Sequence, residues 1–321
     1  MINAALIGLG NIAWKYDAHK QASSFALSQA GAFLRQSGVK LLGGCSPDKD
    51  DCTAFSAWSG GLPVFSDTFE MLKVLQPELV GICSPTDLHF DHVRLCLDAG
   101  VRLVWLEKPA TGTLEQLKTL IRLSQEKHAT VCVNFFRRYL PVYQKLHLMI
   151  KQKEFGNCQL LRVLYSPGLA RNGVHLLDQL FFLTGADEYE LLWIERGGDC
   201  ANPAFILRLS TGQLVEVCGA NLSYHTNDIS AVCSEGIISI LRGGKQARVE
   251  QRVENELFPG FFNLAEAEHK ILQTATLDNY MQPALEDLIK SATTGNEPQS
   301  SLSTALLTQR LLEQVLHEAA S

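Results

Sequence analysis

Ala4-Ala-Leu-Ile-Gly-Leu-Gly-Asn-Ile-Ala13 is the stretch that decides the fold. Four apolar residues bounded by glycine are too few for a helix and fit a buried strand. They run into a turn of the form Gly8-x-Gly10-x-x-Ala13. The first glycine of such a turn bends tightly and the second lets a phosphate approach the backbone. The small third residue lets a helix pack closely on the strand. The theme then repeats. Apolar runs at 39–45, 79–83, 102–106 and 130–133 alternate with amphipathic stretches such as 87–99 and 113–128. The second of these opens on a capping box, Thr113-Leu-Glu-Gln116. Alternation of this kind predicts an α/β unit over residues 1–135, a doubly wound parallel sheet with helices on both faces.

The remainder, residues 136–321, follows another rule. A helix over 142–152 is followed by a strand at 159–165, a loop with Pro167 and Gly168, and a helix at 173–184 stopped by Gly185. Alternating segments at 190–196, 204–209, 214–220, 229–234 and 237–241 then predict an open, mostly antiparallel sheet. Helical spacing returns at 280–291 and 302–319. The expectation is an α+β domain for substrate binding and oligomerisation, with terminal helices that can pack back on the first domain.

A net charge of −6 without basic runs argues against nucleic acid. No apolar run reaches the roughly 18 residues that span a bilayer. The amino terminus reads as a strand and not as a signal peptide. Nine scattered cysteines without a CxxC read as reduced thiols of a cytoplasmic protein and speak against a metal site.

Ligand contacts in such a sheet lie at the carboxyl ends of its strands. The turn at Gly8, Gly10, Asn11 and Ile12 would offer backbone amides to a pyrophosphate. The second strand ends at Ser46, followed by Pro47, Asp48 and Lys49. Ser46 with Lys49 suits the 2′-phosphate of NADP, and Asp48 suits the ribose diol of NAD. The reading leans slightly to NADP. Ser84-Pro85-Thr86-Asp87-Leu-His89 ends the next strand and starts a helix that Thr86 or Asp87 can cap. Glu107-Lys108-Pro109 ends the one after, where a lysine reaches a substrate lying on the cofactor.

Taken in order, these segments resemble the glucose–fructose oxidoreductase / inositol dehydrogenase (Gfo/Idh/MocA) oxidoreductases. The resemblance also rests on Asn134-Phe-Phe-Arg-Arg138, Asn172-Gly-Val-His175-Leu-Leu-Asp178 and Leu183-x-Gly185, and covers nearly the whole chain. It is strongest toward members of polysaccharide and nucleotide-sugar pathways. It implies an amino-terminal Rossmann domain and hydride transfer between a nicotinamide and a carbinol carbon of a sugar, sugar derivative or sugar nucleotide. Dinucleotide contacts would include Ser84, Pro85, Thr86, His89, Glu107, Lys108 and Asn134. Lys108 would be the catalytic lysine and His175 its histidine partner, which together supply the base that alcohol oxidation requires. Arg138, Tyr165, Arg171 and Asn172 join His175 as substrate-side candidates. Arg138, like Arg137, reads equally well as an interdomain salt bridge. The resemblance further implies a homodimer or homotetramer. One departure stands out: Arg171 occupies a position where many members carry aspartate, four residues before the histidine. That leaves open a second reading, a catalytically silent sensor that binds dinucleotide and ligand.

Overall fold

A computed structural model describes residues 1–19 and 25–321. The chain divides into two compact units. The first comprises Met1–Phe136 and Asp278–Gln309, and the second Arg137–Leu277 and Arg310–Ser321.

Six parallel strands build the first unit: β1 (Ile2–Ile7), β2 (Val39–Cys45), β3 (Val64–Phe65), β4 (Leu79–Ile82), β5 (Leu103–Leu106) and β6 (Thr130–Val133). Their order is β3-β2-β1-β4-β5-β6, so the winding reverses between β1 and β4. β4 and β5 are buried along their whole length, as a sheet covered on both faces demands. Helices α1 (Gln29–Arg35), α2 (Lys49–Trp58), α3 (Thr68–Leu75), α4 (His89–Asp98) and α5 (Leu114–Glu126) make the crossovers. The Thr113 capping box on α5 forms as the sequence predicts.

One difference from expectation lies here, beside a first crossover as long as the polar stretch at 14–19 implies. Neither Thr86 nor Asp87 caps α4, because a 3-10 turn over Thr86–Leu88 comes first and α4 starts without a side-chain cap. The glycine turn does not lead straight into a helix. It continues through a turn at residues 11–14 and a 3-10 turn, Lys15–Asp17, and α1 begins only at Gln29. The buried Asp17 carboxylate holds this long connection by accepting the Leu27 and Ser28 amides and the Ser28 hydroxyl. Ser28 in turn caps α1 through the Gly31 amide. A Cβ on Gly31 would lie 2.1 Å from the Asp17 carboxylate, which leaves no room there for a side chain.

The second unit opens with α6 (Pro141–Gln152), started by proline in its first turn. Then come β7 (Cys158–Ser166), α7 (Val174–Thr184), β8 (Tyr189–Ile194), β9 (Phe205–Leu209), β10 (Leu214–Gly219), β11 (Thr226–Cys233) and β12 (Gly236–Leu241). Two further strands, β13 (Gln246–Glu254) and β14 (Phe262–Glu266), continue the sheet beyond what the sequence reading marked. Its order is β14-β13-β12-β11-β7-β10-β9-β8, antiparallel except for the β7–β10 pair. β14 is an edge strand exposed throughout, Phe262 at its start included, and Phe258 and Phe261 stand open to solvent just before it. The Arg252 guanidinium lies over the Phe262 ring, 3.4 Å from its centre.

Helix α8 (Met281–Thr294) packs on α1, β5 and β6 of the first unit, and Ser300 donates to the carbonyl of Val133 at 2.7 Å. Helix α9 (Leu302–Ala319) closes the chain, its residues dividing between the units after Gln309. No described helix is long and apolar enough to cross a membrane.

A buried ion pair anchors the second unit. Arg138 donates from Nε and Nη2 to the two carboxylate oxygens of Asp178 at 2.8 and 2.7 Å, and Asp178 is fully buried. Removing one partner strands the other charge away from water. Asp178→Ala should therefore cost about 3–5 kcal/mol of unfolding free energy, read by urea denaturation. A loss under about 1 kcal/mol would show that the pair contributes little.

Candidate active site

The carboxyl ends of β1, β2, β4, β5 and β6 deliver Gly8, Ser46, Ser84, Glu107 and Asn134 to one edge of the first sheet. The ladder runs one residue past the strands. Gly8 donates to Cys45, Cys83 to Ile7, Glu107 to Ile82 and Asn134 to Leu106, all between 2.7 and 2.9 Å. The site is thus set by the sheet itself.

The two glycines of the turn do different jobs. Gly8 has φ +83°, and a Cβ there would lie 2.6 Å from the Ser84 nitrogen, at the point where the winding reverses. Only glycine tolerates that backbone and that contact. A Cβ on Gly10 would meet nothing within 4 Å. The turn therefore does not need glycine at 10 for packing, and the space it keeps clear fits the approach of a pyrophosphate. Asn11 is exposed and Ile12 half-buried, while Ala13 is buried at the third position of the fingerprint.

At the second strand, the Ser46 hydroxyl accepts the Asp48 amide at 3.2 Å. Oδ1 of Asp48 accepts the amides of Asp50 and Asp51 as the cap of α2. Lys49, exposed, is the first residue of that helix, and Lys15 from the crossover pairs with Asp51 two residues on.

Glu107 is the centre of the edge. Its Oε1 accepts from Gln29 Nε2 at 3.0 Å and from Asn134 Nδ2 at 2.6 Å, and the carboxyl is buried. Burial raises its pKa, opposed by the Lys108 charge and the two amide donors. Lys108 follows, half-buried, with a cis peptide to Pro109. His89 is 1% exposed, with Nδ1 2.8 Å from the Pro109 carbonyl and Nε2 2.9 Å from the Ser84 carbonyl. It joins the two loops of the edge from behind, and burial lowers its pKa. Ser84 Oγ meets His92 Nδ1 at 2.9 Å, with Pro85 exposed and Thr86 half-buried beside it.

The second unit carries the other candidates. His175, 5% exposed, sits in the first turn of α7. Before it, Leu169–Gly173 forms a π-type turn on which Arg171 is exposed. Asn172 Nδ2 donates to the Ser166 and Pro167 carbonyls at 3.1 Å and meets His225 Nδ1 at 2.8 Å. Two expected substrate residues turn out to be built into the interior. Tyr165 is fully buried, its hydroxyl donating to the Pro203 carbonyl at 2.9 Å. Arg138 is committed to Asp178 inside its own unit, and so spans no domain boundary through that pair. Gln29 and His225 were not found by sequence reasoning. Gln29 lies in the helix that the long crossover delays, and His225 in a loop without a motif. Among the described residues no group of three or more His, Cys, Asp or Glu side chains is placed to hold a metal ion.

Comparison with known proteins agrees with this architecture. Residues 2–135 match the GFO_IDH_MocA family model, the oxidoreductase family with an NAD-binding Rossmann fold. The chain is 23% identical to D-glucoside 3-dehydrogenase of Escherichia coli (strain K12) over 203 residues, 57% of this chain and 54% of that protein. It is 29% identical to UDP-N-acetylglucosamine 3-dehydrogenase of Acidithiobacillus ferrooxidans over 124 residues, 36% and 38% of the two chains. The match thus spans at most about half the length of these relatives. In fold, the chain is similar to KijD10, a 3-ketoreductase from Actinomadura kijaniata solved with NADP. The TM-score is 0.77 at 17% identity, covering 99% of this chain and 98% of that one.

Substitution at the two glycines should separate folding from ligand binding. Gly8→Ala should lower stability by about 1–3 kcal/mol through the forced left-handed backbone. Gly10→Val should leave the unfolding midpoint nearly unchanged and weaken dinucleotide binding at least about tenfold by calorimetry. Equal binding by Gly10→Val and the wild type would remove the phosphate cradle from this turn.

Proposed function

We propose, from the match of residues 2–135 to the Gfo/Idh/MocA family model, that this chain is a member of those oxidoreductases, an NAD(P)-dependent dehydrogenase or reductase acting on a carbinol carbon of a sugar, sugar derivative or sugar nucleotide. The observation that carries the reading is the edge itself. Gly8, Gly10, Ser46, Ser84, Glu107 and Asn134 converge at the carboxyl ends of parallel strands, with Lys108 beside a buried carboxyl. The names of the two relatives support a sugar or nucleotide-sugar substrate.

The bound nicotinamide supplies a hydride acceptor or donor. This chain's residues do the rest. Backbone amides at 9–12, just past Gly8, would hold the pyrophosphate. Ser84, Pro85 and Thr86, at the reversal of the winding, border the nicotinamide half. Glu107, fixed by Gln29 and Asn134, sets the course of the backbone into Lys108. Lys108 takes the hydroxyl proton as hydride leaves, and returns it in reduction. His175 holds or relays that proton, and Asn172 and the exposed Arg171 bind substrate groups, Arg171 an anionic one. His89 acts by positioning, since both its ring nitrogens face backbone carbonyls.

The coenzyme in this reading is NADP. Oδ1 of Asp48 is held in the cap of α2, whereas Lys49 is exposed and the Ser46 hydroxyl, which accepts the Asp48 amide, keeps its proton to donate to a 2′-phosphate. We assign the protein to a homo-oligomer in the cytoplasm.

Lys108→Ala should reduce turnover by about 10²–10⁴-fold while dinucleotide affinity stays within about twofold. Near-normal turnover would remove the lysine from the mechanism. Calorimetric titration should show NADPH binding at least about tenfold more tightly than NADH. The reverse order would return the ribose to Asp48.

A further inference from the structure

All nine cysteines stand unbridged, and two of them face each other across a pair of strands. Cys158 opens β7 and Cys233 closes β11, and the antiparallel register makes them direct partners. The register slips just before the pair. Val232 lies opposite Leu160 and Cys233 opposite Cys158, so Gln159 is the extra residue of a bulge. Directly opposed side chains of an antiparallel pair have Cβ atoms roughly 4.5–5.5 Å apart. A disulfide needs roughly 3.5–4.5 Å. A bulge at a strand end supplies the small adjustment, and the backbone around it is short and local. The Asn157 amide donates to the Ser234 hydroxyl, and the Ser234 amide to the Asn157 carbonyl. Both cysteines are half-buried, open to a small reagent, whereas Cys45, Cys96 and Cys132 are enclosed in the first unit.

We propose that Cys158 and Cys233 form an oxidation site, a dithiol that closes to a disulfide when the protein meets a hydroperoxide. The facing register sets the two thiols against each other across the strand pair. Their interaction draws the Cys233 thiol pKa down and, with burial, pushes the Cys158 thiol up. Cys233 is the nucleophile and Cys158 the resolving thiol. The Cys233 thiolate attacks one oxygen of hydrogen peroxide. The O–O bond breaks, hydroxide leaves and takes up a proton as water, and Cys233 becomes a sulfenic acid. The Cys158 sulfur then attacks the Cys233 sulfur. The S–S bond forms, the S–O bond breaks, and the leaving hydroxide takes the Cys158 proton as a second water. Two thiols and one peroxide thus give one disulfide and two waters. A dithiol reagent reverses the step by exchange.

The bridge would close a covalent loop from 158 to 233 that contains α7, with His175, and Asn172. The site needs no coenzyme and rests on no reading of the reaction. Its natural controls are Cys200 and Cys218, both exposed.

The test treats the reduced full-length protein with hydrogen peroxide near neutral pH, blocks remaining thiols, and maps peptides without reduction. The expected product is a single linked pair, Cys158 with Cys233, lighter by two hydrogens and reopened by dithiothreitol. Loss of the Cys233 thiol should run about tenfold faster than that of Cys200 or Cys218. In Cys158→Ala, dimedone should trap a sulfenic acid at Cys233. Bridges formed mainly between other cysteines would overturn the proposal. So would oxidation of Cys233 no faster than that of the exposed thiols. The wild-type peptide map decides the matter even if the variant folds poorly.

Discussion

The burial of the Glu107 carboxyl is the constraint on which the edge of the first sheet depends. A carboxyl taken out of water must be hydrogen-bonded, and its two donors come from different parts of the chain. Gln29 belongs to the helix after the first strand, and Asn134 follows the last strand of the sheet. One oxygen atom therefore ties the beginning, the middle and the end of the Rossmann unit together at the place where ligand contacts are made. The backbone leaves that knot directly into Lys108, so the lysine inherits a position that three elements agree on. Behind it, His89 bridges the carbonyls of Ser84 and Pro109 and ties the neighbouring loop to the same place.

Much of this was legible in the residues. Strand–helix alternation and Gly8-x-Gly10-x-x-Ala13 revealed the parallel sheet because both are local signals with a period or a fixed spacing. The ends of the strands then followed, and with them Ser46, Ser84, Glu107 and Asn134. The second sheet was legible from β7 to β12, where alternation is clean. β13 and β14 escaped because alternation in burial breaks off halfway along β13: Gln251, Arg252, Val253 and Glu254 are all exposed, as is the whole of β14. A strand with solvent on both faces carries no period-two signal.

What the sequence concealed was partnership at a distance. Arg138 and Asp178 are 40 residues apart, and a basic residue after a strand looks equally suited to a ligand, a neighbouring domain or an acid in its own core. Tyr165 carries a hydroxyl that reads as functional until its acceptor, the Pro203 carbonyl, is known. Asp48 gave the opposite lesson. An acid just past a strand suggests a ribose ligand, yet the same position is where a helix needs its cap, and the amides of Asp50 and Asp51 claim it. Gln29 was invisible because a glutamine in a helix start has no motif, and its meaning comes only from the carboxyl it meets.

The edge strand β14 has a consequence of another kind. Beyond it the sheet offers unpaired amides and carbonyls to any strand that approaches, and Phe258, Phe261 and Phe262 add apolar surface alongside. What stands against open-ended stacking is charge. Glu254, Glu256 and Glu266 lie along this border, and Arg252 covers the face of Phe262. Salt screens the mutual repulsion of copies and leaves the aromatic border in place. In strong salt the border of this sheet is thus where association between copies would begin, by strand pairing and aromatic contact beyond β14.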